Sequence, residues 1–275
     1  MTVLDLMLIC RLAKNGELKN FMYTQLKEIY QDFIDKHEYC NWRPLYEQSR
    51  VEWPYDNAGN CIDLTLALAA KIQSEFKDEI QLTVTQSNRH SALLANLEDK
   101  TYLLDPTLFH LSPIEIPANQ NSQQVLQNGF FFKGYDLVID INGVSQIEVS
   151  KFVLPPHVIK PTLLGKHCFS STSGLQDLVI KRTSADYLKS AAATFRVGGE
   201  LKWAGVDLSN GFSYTVCAGI TDFGALDKIA YSFGEDTHCW RGIIKPGQKI
   251  PQEIDKFSSL IEDVRSRMEK ALEYY

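Results

Sequence analysis

The sequence predicts an α+β protein in which helices come first, a long series of strands follows, and a single helix closes the chain. Three observations predict this order. Apolar residues recur every three or four positions over the first 80 residues, they alternate in short segments further along, and a helical stripe returns after Pro251. We therefore expect an N-terminal helical bundle, an antiparallel β-barrel or sheet region, and a C-terminal helix.

The predicted elements divide the chain into three parts. We expect residues 1–80 to form a helical subdomain, residues 81–160 a β-rich subdomain, and residues 161–275 a β-rich, lid-like region that ends in the last helix. Two helices are predicted in the first part, separated by a polar and aromatic loop over about residues 39–60. Their apolar stripes are formed by Leu18, Phe21, Met22, Leu26, Ile29 and Phe33, and then by Leu64, Leu68, Ile72 and Phe76.

Short apolar segments punctuated by Gly, Asn and Pro predict the strands. Between residues 154 and 166, three prolines indicate a hinge or a crossover. The last helix has its stripe at Ile254, Phe257, Ile261, Val264, Met268 and Leu272. The predicted strands cover residues 81–88, 90–97, 101–105, 129–133, 136–141, 145–152, 177–181, 192–197, 202–208 and 212–218.

Composition limits the class of protein. The chain has 44% hydrophobic and 23% charged residues, as soluble globular proteins commonly do. A net charge of -6 without a dense Lys/Arg run argues against nucleic-acid binding. No apolar run approaches the roughly 18 residues of a membrane helix, and the six cysteines are scattered. We therefore expect a cytoplasmic protein with reduced thiols that contacts neither membranes nor nucleic acid.

A cysteine stands where the second helix is predicted to begin. Asp56-Asn-Ala-Gly-Asn-Cys61 is a turn sequence, and a thiol at a helix N-terminus feels the positive end of the helix dipole, which favours the nucleophilic thiolate. Gly59 permits close approach of the backbone, and N–H groups at the helix start are candidates for an oxyanion hole. The alternative interpretation is a buried structural cysteine.

A histidine and an aspartate flank a predicted hairpin. His90 opens one apolar segment, and Asp105 ends the next. If the turn centres between Glu98 and Asp99, Asp105 lies across from Ala92, on the same face as His90 and diagonal to it. A shift of one residue would place the two side chains on opposite faces. The alternative is a surface histidine and a turn-forming aspartate ahead of Pro106.

Together, Cys61, His90 and Asp105 are the three residue types of a nucleophilic triad. The cysteine attacks a carbonyl, the imidazole moves the proton, and the carboxylate orients the imidazole and stabilises its charged form. These three are the predicted catalytic residues. His110 lies a few positions beyond Asp105 and is a second candidate for the same pocket, or a loop residue. Two adjacent pairs, His167-Cys168 and His238-Cys239, lack the short spacing of zinc ligands, so we expect no metal.

In the order and surroundings of these three residues, the sequence resembles the papain-like superfamily of transglutaminases and arylamine N-acetyltransferases. Residues 56–110 carry the resemblance. The acetyltransferase branch is similar in length, in the 15-residue spacing from His90 to Asp105, and in Tyr102-Leu-Leu-Asp105. Its cysteine motif, Arg-Gly-Gly-x-Cys-x-Glu-x-Asn, is matched at Gly59 and Cys61, and Asp63 keeps the acid. The bacterial transglutaminase-like branch is similar in Gly59-x-Cys61 and Leu104-Asp105-Pro106-Thr107.

The resemblance implies a cysteine-proteinase-like core and an acyl-enzyme on Cys61. The acetyltransferase branch implies an acyltransferase that moves an acyl group from a thioester donor to an amine-type acceptor, both of them small molecules. Acyl-CoA or an acyl carrier protein would supply the thioester as cosubstrate, with no tightly bound cofactor. The transglutaminase-like branch implies instead an amidase or cysteine hydrolase that uses the same triad. A binding module that kept the fold without the chemistry is the third expectation.

Overall fold

A computed structural model describes the protein over residues 17–77, 79–87, 90–117, 122–126, 135–142, 146–153, 162–193, 195, 199–221, 223–235 and 238–275. Within these ranges the chain forms six α-helices, one 3-10 helix and three β-sheets, which confirms the predicted α+β class. No helix in the described part of the chain is long and apolar enough to cross a membrane.

Helices stand at the beginning, in the middle and at the end of the chain. The first three are α1 (Glu17–Lys36), α2 (Arg43–Gln48) and α3 (Cys61–Phe76). The next two form a consecutive pair, α4 (Leu175–Thr183) and α5 (Ala185–Ala193). A 3-10 helix (Gln252–Phe257) then leads into α6 (Ser258–Leu272), as the C-terminal stripe predicts.

The first sheet holds the predicted hairpin, and its strand order is β11-β3-β4-β5-β6. Its neighbouring strands all pair antiparallel. Leu97 pairs with Lys100, so the hairpin turn centres between Glu98 and Asp99 as predicted. Its strands are β3 (Gln81–Gln86), β4 (Ser91–Leu97), β5 (Lys100–Leu104), β6 (Ile114–Ile116) and β11 (Ser171–Ser173).

Two further sheets complete the fold. The second has the order β10-β9-β8-β7 and is formed by β7 (Ser122–Leu126), β8 (Tyr135–Asn142), β9 (Gln146–Val153) and β10 (Thr162–Phe169). The third has the order β15-β14-β13-β12-β1-β2. Its strands are β1 (Glu38–Cys40), β2 (Ala58–Gly59), β12 (Glu200–Asp207), β13 (Phe212–Ile220), β14 (Leu226–Glu235) and β15 (Cys239–Ile244).

Both faces of the β4–β5 hairpin are buried, which explains its nearly continuous apolar sequence. Leu93 and Leu104 face α1 and α3 and pack in one core cluster with Leu26 and Leu68 of those helices. Residues on the other face of the hairpin, such as Leu94, pack against the second sheet. They form a second core cluster, which contains Ala92, Leu94, Leu103, Leu108, Ile114, Ile139, Val149 and Phe169. The hairpin is therefore a rigid central element between two layers.

The N-terminal part of the chain also joins the third sheet. Strand β1 pairs antiparallel with β12, and β2 pairs parallel with β1. Helix α6 packs on the same sheet through a core that includes Trp203 and Met268. The short β2 directly precedes α3, so this sheet fixes the position where α3 begins. The division of the chain at residues 80 and 160 stays a prediction.

Two of the predicted strands are wrong, and two other predicted elements lie wholly or partly outside the described residues. Residues 177–181 and the start of 192–197 belong to helices α4 and α5 instead of strands. The β-branched pair Val179-Ile180 favoured a strand, but the Gly174 N–H donates to the Asp177 carboxylate at 3.1 Å, which marks a helix start. Of the predicted hinge or crossover, residues 162–166 form the start of β10, and residues 154–161 lie outside the described residues. The predicted strand 129–133 lies outside the described residues.

Candidate active site

Cys61 is the first residue of α3, and its position is set by a capping box at the start of the helix. The side-chain oxygen of Asn60 accepts from the N–H groups of Ile62 and Asp63 at 2.9 and 3.2 Å. In return, the Asp63 carboxylate accepts from the Asn60 N–H at 3.0 Å. These reciprocal bonds satisfy donors that a helix start leaves open, and they fix the turn that presents the thiol.

Gly59 is required by this turn. A Cβ built at Gly59 would lie 2.5 Å from the Cβ of Asp63, closer than real Cβ atoms approach one another. Gly59 therefore has a steric reason to be glycine, because Asp63 occupies the space that a side chain would need.

His90 and Asp105 meet as the hairpin register predicts. The register that pairs Leu93 with Leu104 continues to Ala92 and Asp105, which puts the His90 ring on the side of the carboxylate. The His90 Nε2 lies 2.5 Å from Asp105 Oδ2. His90 is 8% exposed and Asp105 is completely buried. The structure thus brings these two predicted residues into direct contact.

Cys61 lies beside this pair. Burial alone lowers the pKa of His90, but the charge and hydrogen bond of Asp105, followed by a hydrogen bond with Cys61, raise that pKa to about 10. With Nε2 held by Asp105, Nδ1 is the ring nitrogen that remains for the sulfur. One turn after Cys61, the Thr65 hydroxyl donates to the Ser91 carbonyl at 3.1 Å, which ties α3 to the strand that carries the histidine.

Asp105 is buried as a fully bonded carboxylate. Burial raises its pKa, but the charge of His90 and hydrogen bonds from His90 and Thr107 lower it to about 2. Thr107 donates to Oδ1 through both its hydroxyl and its backbone N–H, at 2.8 and 3.0 Å. Because each oxygen of the carboxylate has a donor, the negative charge is stable without solvent.

A second layer holds the backbone of Asp105. His110 is 1% exposed; its Nε2 accepts from the Asp105 N–H at 3.1 Å, and its Nδ1 lies 2.6 Å from the Ser112 carbonyl oxygen. The Tyr30 hydroxyl donates to the Asp105 carbonyl at 2.8 Å. His110 and Tyr30 therefore hold the backbone of Asp105 in place. Tyr30 could not be identified from the sequence, because it lies 75 positions from Asp105.

Cys61 and His90 open into a cleft of about 670 Å³. One wall comes from the α4–α5 pair, which sequence reasoning placed in a β-rich region. In that wall, Lys181 donates to the Gln86 side-chain oxygen at 2.7 Å. The lining residues are Tyr39, Asn41, Pro44, Asn60, Cys61, Ile62, His90, Ser91, Lys181, Ser184, Tyr187, Ser190, Ala191 and Phe195.

An ion network anchors this wall to α3, the helix that begins at Cys61. Arg182 of α4 donates to Asp63 Oδ1 at 2.5 Å and to both carboxylate oxygens of Glu47, at 2.5 and 2.7 Å. Arg43 also pairs with Glu47, at 2.9 Å. Arg182 is 8% exposed, so its charge is largely shielded from water and depends on these partners. The network joins α2, α3 and α4 just behind the cleft.

Two aromatic residues of the 39–60 segment and the histidines of the two His-Cys pairs have different surroundings, and one of these histidines contacts His90. Trp42 and Tyr46 are buried in the core of the third sheet, so they pack rather than line the cleft. His167 of β10 packs on the His90 ring at a centroid distance of 4.2 Å. His238 stands next to Trp240 at the edge of the third sheet. No group of three or more His, Cys, Asp or Glu side chains that could hold a metal occurs within the described ranges.

Fold and geometry together define an α+β protein in which a cysteine and a histidine line one cleft, and a buried aspartate bonds to that histidine. In fold, the chain is similar to the arylamine N-acetyltransferase from Mycobacterium abscessus, with a TM-score of 0.54 and 12% sequence identity. The match covers 91% of this chain and 88% of that one. This likeness shows a distant acetyltransferase-like fold. No family model matches the sequence, and no curated protein matches it.

Replacing Gly59 with alanine tests the capping turn. We expect Gly59→Ala to lower the free energy of unfolding by about 1–3 kcal/mol, because the added methyl group displaces Asp63. Urea unfolding measures the change. Gly219→Ala is the matched control, since its Cβ would meet nothing closer than 3.7 Å. Equal stability of the two variants would contradict the steric role of Gly59.

Titration of His110 tests the second layer. Burial lowers the pKa of His110 to about 4, below the ordinary histidine value near 6.5. The unfolded chain therefore binds more protons between pH 6.5 and 4, and the contribution of His110 to stability is complete above pH 6.5 and lost as the pH falls toward 4. We expect wild type to lose about 3 kcal/mol more than His110→Gln across this window.

Unfolding free energies of both proteins, measured from pH 7.5 to 4, give this difference directly. His90 and Asp105 are present in both proteins, so their contributions to the pH dependence of stability cancel in the difference. Parallel curves for the two proteins would show that His110 titrates normally in the folded state.

Proposed function

We propose that the protein is an acyltransferase that works through a thioester on Cys61, with His90 and Asp105 as its partners. The observation that carries the proposal is the buried His90–Asp105 hydrogen bond beside the cysteine that begins α3. A buried carboxylate that bonds to an imidazole lining a cleft is typical of an acid–base pair.

The geometry supports a protonated imidazole beside the sulfur before the substrate binds. Because the pKa of His90 is raised to about 10, the ring keeps its proton at neutral pH and pairs with the sulfur as a cation. Asp105 holds the ring in place and stabilises its charge. After the thiolate attacks the carbonyl of the donor, His90 delivers its proton to the leaving group, and it then takes a proton from the acceptor.

The cleft supports a thioester donor followed by an amine-type acceptor. Its volume of about 670 Å³ admits an acyl group together with an acceptor of moderate size. Acyl-CoA and an acyl carrier protein are the two proposed donors. The competing activity is hydrolysis of an amide or ester by the same residues, and it differs only in that water takes the acyl group from Cys61.

Intact mass after exposure to an acyl thioester tests the covalent step. We expect wild type to gain the mass of one acyl group, and Cys61→Ala to gain none. Cys168→Ala is the matched control because Cys168 is also half-buried, and it should acylate as wild type does. Burial raises the pKa of Cys40 and raises that of Cys217 to about 12, so neither thiol competes.

The fate of the adduct separates the two activities. A transferase retains the acyl group in water and releases it when an amine is added, whereas a hydrolase loses it without an amine. If no adduct forms with any thioester or activated ester, a binding module is the remaining interpretation.

Alkylation kinetics test the role of His90. We expect His90→Ala to slow alkylation of Cys61 by iodoacetamide at least tenfold at pH 7, because the sulfur loses the imidazole that activates it in the proposed mechanism. Mass spectrometry of quenched samples gives the rate. His238→Ala serves as control, since His238 is exposed on another sheet. Equal rates in wild type and His90→Ala would mean that the imidazole does not activate the sulfur.

A further inference from the structure

The acyl oxygen of a bound substrate needs a hydrogen-bond donor, and two N–H groups at the start of α3 are not available for this role. When the sulfur attacks, negative charge develops on that oxygen, and enzymes stabilise it with donors that are already in place. The sequence pointed to N–H groups at the start of α3. However, the N–H groups of Ile62 and Asp63 already donate to the Asn60 side chain. A side chain of the cleft is therefore the next candidate.

Tyr187 of α5 has the required position. It lines the same cleft as Cys61 and His90. It also packs with Cys61 against one small apolar cluster formed by Ile62, Val84 and Leu178. The phenol thus stands on the wall of α5 that faces the nucleophile.

The hydrogen bonding of Tyr187 fixes the direction of its hydroxyl group. The Asn60 side-chain N–H donates to the Tyr187 oxygen at 3.0 Å. The phenol is the acceptor in this bond, so its own hydrogen points away from Asn60. Below the ring, the Arg182 guanidinium lies 5.6 Å from the centroid and restrains the side chain. Asn60 immediately precedes Cys61, so the donor is aligned by the same residue that caps the nucleophile's helix.

We propose that Tyr187 donates a hydrogen bond to the acyl oxygen of the substrate while the thioester on Cys61 forms and breaks. This inference rests on the proposed function, and it assigns to Tyr187 a catalytic role beyond the three predicted residues. Burial, and next the charge of Cys61, raise the pKa of Tyr187, so the phenol keeps its hydrogen at neutral pH.

The step balances without any further reactant. The Cys61 sulfur forms a bond to the carbonyl carbon, and the π electrons of the carbonyl move onto its oxygen, which accepts from the Tyr187 hydroxyl. The electrons then return, the bond to the leaving group breaks, and the leaving group takes the proton of His90. Tyr187 retains its hydrogen throughout, because it donates a hydrogen bond and not a proton.

Two reactions of Cys61 distinguish a donor from a positioning residue. p-Nitrophenyl acetate acylates the thiol through a carbonyl addition, and a burst of p-nitrophenolate reports its rate. Iodoacetamide alkylates the same sulfur by displacing iodide, and no charge develops on a carbonyl oxygen. We expect Tyr187→Phe to lower the acylation rate constant by about 100-fold and to leave alkylation unchanged, which also shows that the site is folded.

Tyr23→Phe is the matched control, since it removes a phenol hydroxyl from α1, outside the cleft, and should acylate as wild type does. Equal acylation rates for Tyr187→Phe and wild type would overturn the role of Tyr187 but not the proposed function. A parallel loss of acylation and alkylation would also overturn it, because Tyr187 would then act on the thiol. If wild type shows no burst, or Cys61→Ala retains it, the proposed function itself fails.

Discussion

The hydrogen bond between His90 and Asp105 is the interaction on which the rest of the site depends. Asp105 is buried without solvent contact, and a carboxylate in such a place is stable only if its charge is matched and its oxygens are bonded. His90 supplies the charge, Thr107 supplies two donors, and His110 supports the backbone. Burial of these polar groups costs free energy, and the complete set of hydrogen bonds offsets that cost. Removal of any one partner leaves a buried group unsatisfied.

The part of this site that lies within residues 56–110 could be predicted because local rules determine it. A two-residue turn at Glu98-Asp99 sets the hairpin register, and the register alone decides whether the imidazole and the carboxylate share a face. The start of α3 is equally local, since the Asn60 and Asp63 side chains bond to backbone groups three positions apart. In both cases, the physical signal lies within a few residues of the feature that it determines.

The remainder could not be read from the sequence, because its contacts join distant segments. Arg182 meets Asp63 across 119 positions, and Tyr187 meets Asn60 across 127. No periodicity or motif reports such a contact. The segment that carries them was also assigned the wrong secondary structure, since Val179 and Ile180 are β-branched residues on the exposed face of a helix. Helix α4 is stabilised there by its capping interaction and by the buried ion pairs of Arg182, which override the local propensity.

Local contacts position the three candidate catalytic residues, whereas distant contacts shape the facing wall of the cleft. The sulfur, the imidazole and the carboxylate belong to α3 and the β4–β5 hairpin, which are held rigid by two core clusters. The facing wall, with Lys181, Ser184 and Tyr187, belongs to α4 and α5 and is joined to α3 through Asp63 and Asn60. Asp63 therefore has two roles, because one oxygen caps the helix of Cys61 and the other receives the guanidinium that holds the wall. Because Asp63 bonds to both the turn and the wall, a shift of the wall would act directly on the turn that presents the thiol.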